Sequence, residues 1–234
     1  MKQCMRRDES VIRGPRLGLG TAIVAAVLLA LAACGSTPVV HLHSLMPGEV
    51  TPAGSPPARS GDAAPPPVIV LEPIRMPAQV DQPQWLVQMP DGSLASLEQE
   101  RWASPLRDEF QQAVLETLIV RYGVVELRHS SNPVSTSARA LRVGIDVRRF
   151  ESIPGQEARI EGSWTLTGAS TTAPSAPSSA HCEWLIRERA SGPLSALADA
   201  HRRAVSRLAD GIGAAVIAIG RGQPAKCEAA SAAG

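Results

Sequence analysis

The sequence predicts an α+β domain: a mostly antiparallel sheet with two amphipathic helices packed on one face. Three observations carry that prediction. Short alternating or β-branched stretches recur between Val68 and Ile186. Two apolar stripes at helical spacing, Leu106 to Leu118 and Leu194 to Ile219, interrupt and close the series. The longest strands alternate apolar with polar residues, so each has one wet face, as in an antiparallel sheet covered on one side.

Residues 1–33 read as a secretory signal. Arg6, Arg7, Arg13 and Arg16 precede an apolar run from Leu17 to Ala33. At roughly 17 residues that run sits at the lower edge of what spans a bilayer, and no basic cluster follows it. Leu31-Ala32-Ala33-Cys34 resembles a bacterial lipobox. Cys34 is therefore expected to be lipidated and to become the first residue of the mature protein. Gly35 is not the Asp that retains lipoproteins at the inner membrane, which points to the outer one.

Residues 34–67 read as a lipidated tether and Pro-rich linker, with a short strand at 39–45. Pro47 to Pro67 is built of Pro, Gly, Ala and Ser and buries little. About 20 flexible residues have a typical end separation near 25 Å, so the linker is expected to act as slack between anchor and domain.

The domain is expected over residues 68–222. Val68 to Leu71 is a short β-branched strand stopped by Pro73. Trp85 to Met89 and Ser93 to Leu97 form a hairpin about Pro90-Asp91-Gly92. Ser104 reads as an N-cap and Pro105 as the first residue of a helix, with Asp108 and Glu109 near its positive end. Leu106, Phe110, Ala113, Val114 and Leu118 form its stripe, and Gly123 stops it. Val124 to Leu127 follows as a strand.

Leu141, Val143, Ile145 and Val147 then face one way along a strand, and Arg142, Asp146 and Arg148 the other. Ile160, Trp164 and Leu166 repeat the pattern after a turn at Pro154-Gly155-Gln156, and Cys182, Trp184 and Ile186 repeat it again. The last helix starts at Pro193 and carries Leu194, Leu197, Ala198, Val205, Leu208, Ile212, Val216 and Ile219. Residues 223–234 read as a flexible tail.

Composition excludes some functions. Of 23 Lys and Arg and 22 Asp and Glu, five and two precede Cys34, which leaves 18 against 20 and a formal charge of −2. Binding to nucleic acid needs a clustered positive surface, so it is not expected. There is no phosphate-cradling glycine loop and no Gly-x-Ser-x-Gly elbow. His41 and His43 alternate on a strand and could face one ion, but no further ligand cluster accompanies them, so no metal is expected. His181 and Cys182 point to opposite faces, against a Cys–His nucleophilic pair. Outside the cytoplasm the two remaining thiols, Cys182 and Cys227, are candidates for a disulfide.

Three stretches carry a family resemblance: Asp81-Gln82-Pro83-Gln84 before a strand, Arg101-Trp102-Ala103-Ser104-Pro105-Leu106 opening the central helix, and a Leu/Ala-rich last helix opening near Leu194-Ser195-Ala196-Leu197. Together they resemble the PqiC family of ABC-type transport auxiliary lipoproteins, over about residues 38 to 220. The resemblance implies an outer-membrane, periplasm-facing lipoprotein that is not an enzyme and needs no cofactor. It also implies partners: an MCE-domain protein with its permease and ATPase, moving lipid between the two membranes of a Gram-negative cell. A homo-oligomer matching a multi-subunit tube is expected with it.

Within the central motif, Arg101, Trp102 and Pro105 are candidates for either packing or partner contact. The favoured role is packing, with Trp102 beneath the helix entrance and Arg101 bonded to backbone or a carboxylate. Two other classes stay open. A lipid-anchored periplasmic hydrolase would need a nucleophile–base set. A small-molecule binding module would need a roomy apolar pocket.

Overall fold

The computed structural model describes residues 38–48, 66–127, 140–168 and 179–227. The expected signal at 1–33, Cys34, most of the Pro-rich linker and most of the tail lie outside them. A compact unit begins at Val40; of the unit before it, only Pro38 and Val39 are described.

Eight strands and two helices are described. They are β1 (His41–His43), β2 (Val68–Leu71), β3 (Gln84–Gln88), β4 (Leu94–Trp102), α1 (Leu106–Tyr122), β5 (Val125–Glu126), β6 (Leu141–Ile153), β7 (Glu157–Thr167), β8 (Ser179–Arg189) and α2 (Leu194–Gly220). One sheet has the order β1-β4-β3 and the other β5-β2-β6-β7-β8.

The class is α+β, but the sheets are mixed rather than mostly antiparallel. β1 runs parallel to β4, and β2 runs parallel to both β5 and β6. Among the described strands, only the β3–β4 hairpin and the β6-β7-β8 meander are antiparallel. The reason for the miss is physical. Alternation reports which face of a strand is wet, and carries no record of the direction of its neighbour.

The faces themselves follow the alternation. Leu141, Val143, Ile145 and Val147 of β6, Ile160, Trp164 and Leu166 of β7, and Cys182, Trp184 and Ile186 of β8 are all buried. A bulge between Val147 and Arg149 then inserts one residue into β6. It resets the phase, so Phe150 and Ser152 point inward beyond it.

α2 lies directly over β6, β7 and β8, whereas α1 packs mainly on α2. Ala198, Ala200, Ala204, Ala209 and Ala215 line the buried side of α2 and let it approach closely. At the helix pair, Arg121 Nη1 donates to Asp210 at 2.6 Å and the Tyr122 hydroxyl donates to the Asp210 carbonyl at 3.1 Å. α1 ends at Gly123, left-handed at φ 64°, whose N–H donates to the Ile119 carbonyl at 3.0 Å.

One boundary moves. The domain was expected to start at 68, but β1 is paired with β4 and Leu45 is only 1% exposed. The Pro47–Pro67 stretch thus joins two strands of one domain, β1 and β2. It does not lie between the domain and the chain that precedes β1, so it cannot act as slack there. The strand expected at 39–45 is only three residues long.

Two glycines allow close approach. A Cβ on Gly162 would lie 2.1 Å from the Asp146 carbonyl oxygen and 2.6 Å from the Trp184 ring. A Cβ on Gly213 would lie 2.4 Å from the Tyr122 ring. Backbone in a paired strand has nowhere to go, while a ring at a helix end can tilt. Gly162→Ala is therefore expected to cost about 1–3 kcal/mol by overpacking. Gly213→Ala should cost less, since it gains about 1 kcal/mol of helix propensity in return. Urea titrations of both variants check this, and the reverse order would contradict it.

Candidate functional site

The Arg-Trp-Ala-x-Pro-Leu stretch is a corner between β4 and α1. Trp102 N donates to the Pro83 carbonyl at 2.8 Å, and Ala103 N donates to the His43 carbonyl at 2.7 Å. The corner thus ties the Asp81–Gln84 stretch on one side and the exit of β1 on the other. Pro105, not Ser104, is the N-cap of α1, and no side chain of its own caps the helix. The cap comes from a distance: the Asp81 carboxylate accepts from Arg107 N at 3.2 Å and also pairs with the Arg107 guanidinium. Ser104 instead donates to Glu109 at 3.0 Å.

Behind the corner lies an aromatic cluster. Trp102 is 2% exposed and packs on Trp85, with ring centres 4.7 Å apart, and on Phe150 at 5.9 Å. His201 of α2 stacks on Phe150 at 4.1 Å with an interplanar angle of 7°. Trp85 Nε1 donates to Ser152 Oγ at 2.8 Å, and Ser152 Oγ lies 2.8 Å from His201 Nε2. This polar chain joins β3, β6 and α2. His201 is absent from the apolar stripe that periodicity assigns to the last helix, yet it stands four residues after Leu197 and four before Val205. That spacing was the available signal.

Ser152 and His201 have the residue types of a nucleophile–base pair. They are 2% and 0% exposed, and among the described residues His201 Nδ1 has no partner to orient the ring. The pair is a core contact, closed to substrate.

The opposite face of the large sheet is wet and charged. Arg149 lies 3.4 Å from Glu161 and 3.6 Å from Glu151. Arg159 reaches Glu151 at 3.2 Å and Glu157 at 2.6 Å. Arg148 bonds Glu183 and lies 3.6 Å from Glu161. The hydrogen bond from Arg148 holds the Glu183 carboxyl below its usual range and raises the guanidinium. The solvent-screened pairs among these contribute little stability; together they set the polarity of a surface that neither helix covers. Along its β2 side runs an open groove lined by Glu72, Arg75, Arg142, Asp146, Ser163 and Thr165.

The family model described as "ABC-type transport auxiliary lipoprotein component" matches residues 49–213, more than half of the chain. The chain belongs to that family. Two crystal structures share the family chain's fold. One, of an uncharacterized protein, has a TM-score of 0.54 at 12% identity and covers 75% of this chain and 97% of its own. The other, a Xanthomonas campestris protein of the family DUF330, has a TM-score of 0.53 at 22% identity and covers 78% and 97%. No curated protein matches the sequence.

In this family member, the residues singled out from sequence separate by role. Trp102 and Pro105 are structural parts of the corner. The Nε of Arg101 is buried and has no hydrogen-bond partner among the described residues. His41 and His43 both turn to one carboxylate, with His41 Nδ1 3.0 Å and His43 Nε2 2.5 Å from Glu100. Burial alone would raise the Glu100 carboxyl, but the bonds from His43 and His41 outweigh it and hold it below its usual range. Cys182 and Cys227 are joined, with Cα atoms 5.5 Å apart, which fixes the residues after α2 to β8. Cys34 lies outside the described residues.

Burial lowers the His201 pKa from 6.5 to about 3. The folded state therefore refuses a proton that the unfolded state accepts. Its contribution is whole above pH 6.5 and falls as pH drops towards about 3, by up to about 1.4 kcal/mol per pH unit. Urea titrations at several pH values should show this slope in the wild type and its loss in His201→Gln; equal slopes would contradict it. For Cys182–Cys227, a loop of 45 residues gives about 4 kcal/mol in the chain-entropy account. Non-reducing peptide mapping should recover the linked pair, and Cys227→Ser should unfold at lower denaturant; free thiols on both residues would contradict it.

Proposed function

We propose that this chain is an outer-membrane lipoprotein anchored at Cys34 and serving an MCE/ABC-type intermembrane lipid transport system as a non-enzymatic docking subunit. The observation that carries the reading is the family match over residues 49–213. The lipobox-like Leu31–Cys34 stretch and Gly35 support the anchor and its outer-membrane address.

The side-chain arrangement supports a docking role over catalysis. The Ser152–His201 contact, which a hydrolase would need to expose, is sealed among aromatic rings. The wet sheet face offers a broad array of paired charges to a partner. Such a surface gives register and specificity more than raw affinity. The partner is an MCE-domain protein rooted in the other membrane, and several copies of this chain would match a multi-subunit tube.

Photo-crosslinking from Thr165 and His181 in intact cells tests the reading. Both lie on the wet face, paired across β7 and β8. Adducts with the MCE-domain protein are expected, and Cys34→Ser should abolish them by releasing or misprocessing the chain. Recovery of self-adducts and bulk outer-membrane proteins alone, with the MCE protein expressed, would overturn the reading.

A further inference from the structure

We infer that the β1 edge of the domain is seated on the membrane that holds the anchor, with Leu42 entering the bilayer interface and Arg101 meeting lipid phosphates. The inference rests on the reading of Cys34 as lipidated.

The first support is reach. Six residues, 35–40, separate Cys34 from β1. Fully extended, they span at most about 20 Å. A domain of this size is about 40 Å across by the usual size scaling. With the Pro-rich stretch lying beyond β1, nothing lengthens the tether. The domain therefore cannot turn its far side to the lipid, and the edge carrying β1 stays beside it.

The second support is the chemistry of that edge. β1 is the outer strand of its sheet. Leu42 is 65% exposed and Val40 43%, large apolar side chains at the point closest to the anchor. Across the strand pair, Leu42 stands beside Arg101. Among the described residues the buried Nε of Arg101 has no partner and no carboxylate pairs with its guanidinium. The nearest acid in sequence, Glu100, turns to the other face and is engaged by His41 and His43. An apolar side chain next to an uncompensated guanidinium matches the boundary of a bilayer, where acyl carbon meets phosphate.

The test uses the full-length protein with its own anchor, reconstituted in phosphatidylethanolamine vesicles with and without phosphatidylglycerol. An environment-sensitive fluorescent amino acid is placed at position 42, or at position 165 on the wet sheet face. Quenchers are carried on lipids near the headgroup. The expected result is loss of most fluorescence at position 42 and none at 165. Arg101→Gln should cut the quenching at 42 in phosphatidylglycerol vesicles to the level seen without that lipid. Equal quenching at both positions, or none at 42, would overturn the inference. The N-terminal peptide mass is read on the same sample. A lipidated Cys34 with an unquenched position 42 overturns this inference alone; an unlipidated Cys34 overturns the anchor reading and the inference with it. Photo-crosslinks from position 42 in cells that fall on a protein instead of lipid would also overturn it.

Discussion

A buried carboxylate decides where the N-terminal segment goes. Glu109, on the first turn of α1, is 5% exposed and accepts from Ser44 Oγ at 2.7 Å, Leu45 N at 2.9 Å and Ser104 Oγ at 3.0 Å. A charged group out of water is tolerated only when hydrogen bonds replace its hydration. Those three donors come from two separate stretches, so satisfying Glu109 fixes both. It draws Leu45 into the core, aligns β1 against β4, and sets the corner that opens α1. Asp81 reinforces the same corner from outside by capping the helix that Glu109 sits in.

From that corner the molecule divides into a dry side and a wet side. The dry side is an aromatic and aliphatic core in which His201 serves as a packed ring with one hydrogen bond. The wet side is a ladder of ion pairs across β6, β7 and β8. The bulge in β6 links the two. By shifting phase after Val147, it sends Phe150 and Ser152 inward to His201 and aims Arg149 outward at Glu161. Chemistry-bearing residues are sealed inside while charge is displayed outside.

Much of this was legible in the sequence. Inward-facing residues on β6, β7 and β8, the turn at Gly92, the stop at Gly123 and the run of α2 all follow from periodicity and turn chemistry. Two of the three stretches that carry the family resemblance go together for a physical reason: Asp81 and Pro83 bond Arg107 and Trp102. What was not legible depends on contacts distant in sequence. Parallel pairing of β2 with β5 and β6 leaves no mark on alternation. Ser104 looks like a cap until Asp81, 26 residues from Arg107, takes that place. His201 is skipped when only apolar letters are counted. β1 looks like part of a linker because the Pro-rich stretch follows it, although Glu109 holds it in the domain.

β1 and its exit belong to the folded body. Native-state hydrogen exchange on the full chain tests this most directly. The Leu45 amide, bonded to Glu109, and the Ala103 amide, bonded to the His43 carbonyl, should exchange as slowly as the amides of β7, through global unfolding alone. Rapid exchange at Leu45 and Ala103, with β7 still protected, would contradict the account.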